Sequence, residues 1–89
     1  MKIVIISALW CPSCLIMISR YQQLKEEFNT IKFQEFDYDN DKQEIAKLGV
    51  FKTLPVLIVY DNNGVELIKF IGEKSYKEIA KKLIAIQNE

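Results

Sequence analysis

Cys11 and Cys14 are the only two cysteines in the chain, and they share one short stretch, Trp10-Cys11-Pro12-Ser13-Cys14. A thiolate is a nucleophile and a metal ligand, whereas a thiol is a weak version of both. Two thiols held two residues apart can attack and resolve a disulfide in succession, form a structural cross-link, or share a metal ion. Only the first of these needs one sulfur that is readily anionic and a second within reach behind it.

The alternatives are weaker on physical grounds. A cross-link over so short a loop stabilises by roughly 2 kcal/mol before strain, against about 4–5 for a loop spanning a domain. A zinc site wants four ligands, and the sequence holds no histidine and no third cysteine. The missing ligands would have to be carboxylates or come from a second chain. Two inert buried thiols fit poorly beside Trp10 and Pro12, which make a reactive-looking corner.

The elements that must position the pair can be read along the chain. Ile3 to Ser7 is apolar and β-branched, as befits a strand covered on both faces. From Pro12 to about Phe28, a helical stripe of Cys14, Ile18, Tyr21, Leu24 and Phe28 is expected. Cys11 thus falls between a strand and a helix, with Pro12 at the first helical position, where a missing N–H costs nothing. A sulfur there meets the positive end of the helix and its unpaired N–H groups, both of which favour the thiolate. Cys14 follows on the same face, one turn deeper.

Ile31 to Tyr38 forms a second strand whose apolar parity changes between Phe33 and Phe36, which suggests a bulge or an edge. Asp39, Asn40 and Asp41 precede a short helix to Leu48, with Gly49 placed for a left-handed cap. Pro55 to Tyr60 is a third, fully apolar strand, and Asn63-Gly64 turns it into a partner from Val65 to Phe70. Ser75 and Glu78 have the spacing of a capping box for a last helix with Tyr76, Ile79, Ala80, Leu83 and Ile86 on its apolar stripe. The order β-α-β-α-β-β-α implies a mixed four-stranded α/β sheet with helices on both faces.

Eighty-nine residues suit one domain over residues 1–89, and the near-half apolar content permits a core without staples. Twelve basic and twelve acidic residues balance, so no surplus charge points to nucleic acid. The apolar run from Ile3 to Leu9 is far too short for a membrane span and is read as a buried strand, not a signal segment. A cytoplasmic monomer without membrane contact is the expectation, in a compartment where paired cysteines are catalytic more often than structural.

With both stretches in view, the chain resembles the thioredoxin-fold superfamily. Trp10 to Cys14 resembles its W-C-x-x-C active site, and "LGVFKTLPVLIVYDNNG", residues 48–64, its second signature. The resemblance implies that Cys11 attacks, Cys14 resolves, and Pro55 is the family's cis-proline against the active-site disulfide. It implies that Leu54 offers its backbone to an extended substrate, with Trp10 as a contact surface. Pro12 and the Thr53-Leu54-Pro55 run resemble glutaredoxins more closely, although the single glycine in "FIGEKS" departs from their usual glutathione-holding pair. Ile5 stands where thioredoxins carry a buried acid, so the proton of Cys14 needs another acceptor; Glu35 is a candidate.

The expected function is thiol–disulfide exchange that reduces protein disulfides, with candidate site residues Cys11 and Cys14, and with Trp10, Pro12, Thr53, Leu54 and Pro55 binding substrate. No cofactor beyond the Cys11–Cys14 disulfide is expected. Electrons would come from an upstream reductase or a low-molecular-weight thiol, with glutathione as the alternative. From another class, the rival is a redox-inactive or metal-linked binding module, docking through Trp10, Leu15 and Ile16.

Overall fold

In the computed structural model, which describes residues 1–88, the elements follow the expected order. They are β1 (Lys2–Ser7), α1 (Pro12–Glu27), β2 (Lys32–Asp37), α2 (Lys42–Leu48), β3 (Val56–Tyr60), β4 (Glu66–Ile71) and α3 (Tyr76–Gln87). The sheet order is β2-β1-β3-β4. β1 lies parallel to β2 and antiparallel to β3, and β3 pairs antiparallel with β4.

The two apolar strands, β1 and β3, occupy the centre. Every residue from Ile3 to Ile6 and from Val56 to Val59 is buried, because helices cover both faces of the sheet. On one face, Ile3, Ile5, Leu57 and Val59 pack with Met17, Tyr21 and Leu24 of α1 and Ile79 and Leu83 of α3. On the other, Val4, Ile6, Val56 and Ile58 meet Ile45 of α2 and Phe51. The Arg20 guanidinium donates to the Lys74 carbonyl at 2.9 Å, tying α1 to the segment before α3.

Several expectations need correction. Ile18 is not on the buried stripe of α1: it is 60% exposed, and Met17 takes its place at 0%. Both positions satisfy a helical period, and only the direction of the sheet and α3 separates them. β2 is an edge strand, as one of the two readings held, but it pairs with β1 without a register shift. Phe33 and Phe36 simply serve opposite faces of the sheet. The irregularity lies instead between Val59 and Tyr60, where β3 and β4 lose register near the hairpin.

Gly49 does not form a left-handed helical cap. Its φ of 144° and ψ of −169° describe an extended backbone essentially confined to glycine. Asp41 caps α2 by position but not by side chain, since its carboxylate accepts the Asp37 N–H at 2.8 Å. Ser75 does cap α3, its hydroxyl accepting the Glu78 N–H at 3.1 Å.

Candidate active site

β1 ends at Ser7, and the chain turns through Ala8 to Trp10 to start α1 at Pro12. Cys11 is the N-cap residue, with extended backbone (φ −93°, ψ 114°), and Pro12 follows where α1 has no N–H to satisfy. The Cys11 N–H donates to the Ala8 carbonyl at 3.2 Å, which closes the turn. The Cys11 sulfur does what an N-cap oxygen usually does: it accepts the Cys14 N–H, at 3.3 Å. The sulfur is thus aimed at the open N-terminal turn of a 16-residue helix.

From the far side comes the loop before β3. The Leu54–Pro55 peptide bond is cis, and the Leu54 carbonyl accepts the Cys11 S–H at 3.7 Å. Residues 54 and 11 are brought together by the pairing of β1 with β3. Ala8, Cys11 and Cys14 form a small buried cluster on which Tyr38 and Leu54 pack. Cys14 is 3% exposed. Burial pushes its thiol up from 9.0 to about 11, with the Cys11 sulfur adding to the shift by hydrogen bond and charge; the Ala8 backbone opposes it.

Trp10 is 62% exposed, and its indole Nε1–H donates to Asp39 Oδ2 at 2.7 Å while its ring stands edge-on to Tyr38, with centroids 6.1 Å apart. Pro12 and Thr53, the chain neighbours of Cys11 and Leu54, are exposed, and Pro55 is buried. Leu15 and Ile16 are exposed on α1. All seven residues singled out from the sequence therefore belong to one corner of the fold or its rim. Glu35 does not reach the cysteine pair directly: it lies half-exposed on β2, in an ion pair with Lys25 at 3.0 Å.

The sequence reading missed Tyr38 and Asp39, which brace Trp10. Asp39 was assigned to a helix start, and nothing local to it indicates an indole 29 residues away. Among the described residues, no group of three or more His, Cys, Asp or Glu side chains is placed to hold a metal ion. Nor is any helix long and apolar enough to cross a membrane. The largest cavity, lined by Lys2, Lys32, Phe36 and Tyr60 among others, lies at the opposite end of β1 from the cysteines.

The raised pKa of Cys14 makes a pH prediction. A thiol with a higher pKa when folded than when unfolded keeps its proton longer in the folded state. Stability is therefore lost as pH rises from about 9 to about 11. Melting temperatures of the reduced and oxidised proteins should diverge across that window, with the reduced form falling faster because only it carries the thiol. Parallel curves would show that the thiol is not held protonated.

Comparison with known proteins agrees with the geometry. Residues 1–85 match the family described as Thioredoxin. The chain is 36% identical over 78 residues to 5'-adenylylsulfate reductase 1, chloroplastic, of Arabidopsis thaliana, covering 81% of this chain and 16% of that protein. It is 28% identical over 78 residues to Thioredoxin F-type, chloroplastic, of Spinacia oleracea, covering 88% of this chain and 38% of the relative. The chain thus spans well under half the length of the curated relatives it matches. Among solved structures, thioredoxin from Trypanosoma brucei brucei superposes with a TM-score of 0.87 at 27% identity, covering 99% of this chain and 75% of the other. Fold, family match and a paired-cysteine motif at a helix N-terminus support thiol–disulfide oxidoreductase chemistry in general, and the chain belongs to the thioredoxin family.

Proposed function

We propose that this chain is a dithiol oxidoreductase that reduces protein disulfides, with Cys11 as the attacking sulfur and Cys14 as the resolving one. The observation that carries the assignment is the placement of Cys11: its sulfur caps α1, receives the Cys14 N–H at 3.3 Å and faces the Leu54 carbonyl. The burial that pushes the Cys14 thiol up to about 11 favours the opposite role for that residue.

The exchange proceeds in two displacements. The Cys11 thiolate attacks one sulfur of the substrate disulfide, forming a mixed disulfide and releasing the other sulfur as a thiolate. Loss of the Cys11 proton also frees the Leu54 carbonyl, which then accepts a backbone N–H from an extended substrate segment. Cys14, once deprotonated, attacks Cys11. The Cys11–Cys14 bond forms, the mixed disulfide breaks, and the second substrate thiolate leaves. Two electrons have passed to the substrate, and an upstream reductase or low-molecular-weight thiol restores the dithiol. Exposed Trp10 and Thr53 with half-buried Leu54 offer the contact surface, with Trp10 held by Asp39.

A reductase as the electron donor, rather than glutathione, is favoured by the match of residues 1–85 to the family described as Thioredoxin. A neighbour of the same fold is recorded in a complex of ferredoxin:thioredoxin reductase and thioredoxin f2. The direct measurement is insulin reduction with dithiothreitol as the terminal reductant. Insulin should precipitate severalfold sooner with the protein than with dithiothreitol alone. Identical time courses would refute the assignment.

A further inference from the structure

Cys14 must lose its proton before it can displace the substrate from Cys11, and its burial opposes that loss. The buried stretch of β1 supplies no acidic acceptor, since Ile3, Val4, Ile5 and Ile6 are all apolar. The same face of α1 does supply a polar group. Tyr21 follows Cys14 by seven residues, about two helical turns, and both are buried on that face. Helical side chains lean toward the N-terminus, so the phenol of Tyr21 runs back toward the turn that carries Cys14.

Tyr21 is only 5% exposed, yet among the described residues no group hydrogen-bonds its hydroxyl. No sealed side-chain oxygen or nitrogen is left without a partner among them either, so the hydroxyl keeps contact with water.

Glu35 approaches the same point from the sheet. It is the register partner of Ile5 on β2, so its side chain shares the face covered by α1. Lys25, one turn beyond Tyr21, holds the Glu35 carboxylate at 3.0 Å. Burial, and then the charges of Cys14, Cys11 and Glu35, raise the Tyr21 phenol far above its ordinary range, so it stays neutral at physiological pH.

We propose that Tyr21 relays the proton of Cys14 to the Glu35 carboxylate, through the water that reaches its hydroxyl. The Cys14 proton passes toward the phenol oxygen as the phenol proton passes to Glu35, and the thiolate left on Cys14 attacks Cys11. Glu35, open to solvent, then returns its proton to water. Tyr21 and Glu35 act through Cys14 and do not touch the substrate. This relay rests on the dithiol mechanism above, and the test separates the two.

Reduced protein is mixed with one equivalent of 5,5'-dithiobis(2-nitrobenzoate) at neutral pH, and coloured thiolate is followed by stopped flow. The first release reports attack by Cys11 and the second reports closure by Cys14. In Tyr21→Phe, which keeps the buried ring, and in Glu35→Gln, the second release should slow about tenfold, less than a direct general base contributes. The first release should keep its rate. The double variant should be no slower than either single one, because both interrupt one route. Glu26→Gln, which removes an exposed carboxylate of α1 outside the relay, should retain the fast second release. An unchanged second release in Tyr21→Phe, additive losses, or an equal slowing in Glu26→Gln would overturn the relay. A wild-type protein with no second release would overturn the dithiol mechanism itself.

Discussion

Replacing Cys14 with serine is expected to arrest the exchange at its midpoint. Cys11 keeps its place at the N-cap, and the backbone N–H of residue 14, which reaches the Cys11 sulfur at 3.3 Å, survives the change. The first displacement therefore proceeds, but no sulfur lies behind Cys11 to displace the bound substrate. Turnover with insulin should fall by more than about 10³-fold, the scale lost when one member of a catalytic unit is removed. A covalent adduct should accumulate instead, visible by mass spectrometry and dispersed by dithiothreitol. Cys11→Ser should give the converse, with turnover equally low and no adduct. Adduct formation on Cys14 in Cys11→Ser, at the rate seen for Cys14→Ser, would reverse the roles of the two cysteines. Recovery of Cys14→Ser turnover by glutathione, with glutathione reductase regenerating it, would select the glutaredoxin-like reading.

The second large effect concerns stability. Ile5 is 1% exposed and packs in the cluster that holds Met17, Tyr21, Leu24 and Leu57. Ile5→Asp removes the apolar contacts of a central strand and places a carboxyl among them with no cation in the cluster. Burial would hold that carboxyl protonated, which lowers the cost without removing it. A loss of about 3–5 kcal/mol is expected. A domain of this size holds about 5–10 kcal/mol. At about 4–8 °C per kcal/mol, the melting temperature should fall by more than about 12 °C. Thermal unfolding followed by circular dichroism measures it. A change of only a few degrees would mean that the α1 face of the sheet has room and water for an acid at this position, and that the packing described for Ile5 is wrong. The contrast with Glu35 is one of depth: that carboxylate sits at the edge, half in solvent and paired with Lys25.

Much of the fold was legible because its signals are local. Ile3 to Ile6 and Val56 to Val59 are apolar at every position, and such runs are stable only as central strands covered on both faces. Ser75 and Pro12 mark helix starts through the hydrogen bonds that their own neighbours can or cannot make. The active-site corner was legible for the same reason. A sulfur at the end of an apolar strand, followed by proline and a second sulfur one turn on, constrains its own geometry within four residues.

What failed were choices between positions that local rules treat as equal. Met17 and Ile18 both fit a helical stripe, and the placement of α1 against the sheet and α3 buried one and exposed the other. The parity change at Phe33 and Phe36 looked like a bulge because one face of the strand was assumed to be bare, whereas both faces carry core. Asp39 reads as a loop or cap residue until the fold brings the indole of Trp10 to it.

By itself, then, the sequence determined the order and type of the elements, the burial of β1 and β3, and a pair of thiols at the start of α1. These depend on interactions between residues a few positions apart, which the chain encodes directly. Tertiary structure alone decided that Leu54 faces Cys11, that Asp39 holds Trp10, and that Glu35 lies across from Ile5 and pairs with Lys25. Those meetings join residues far apart in the chain. They follow from strand order and register, which are set by how the whole core packs and not by any one segment.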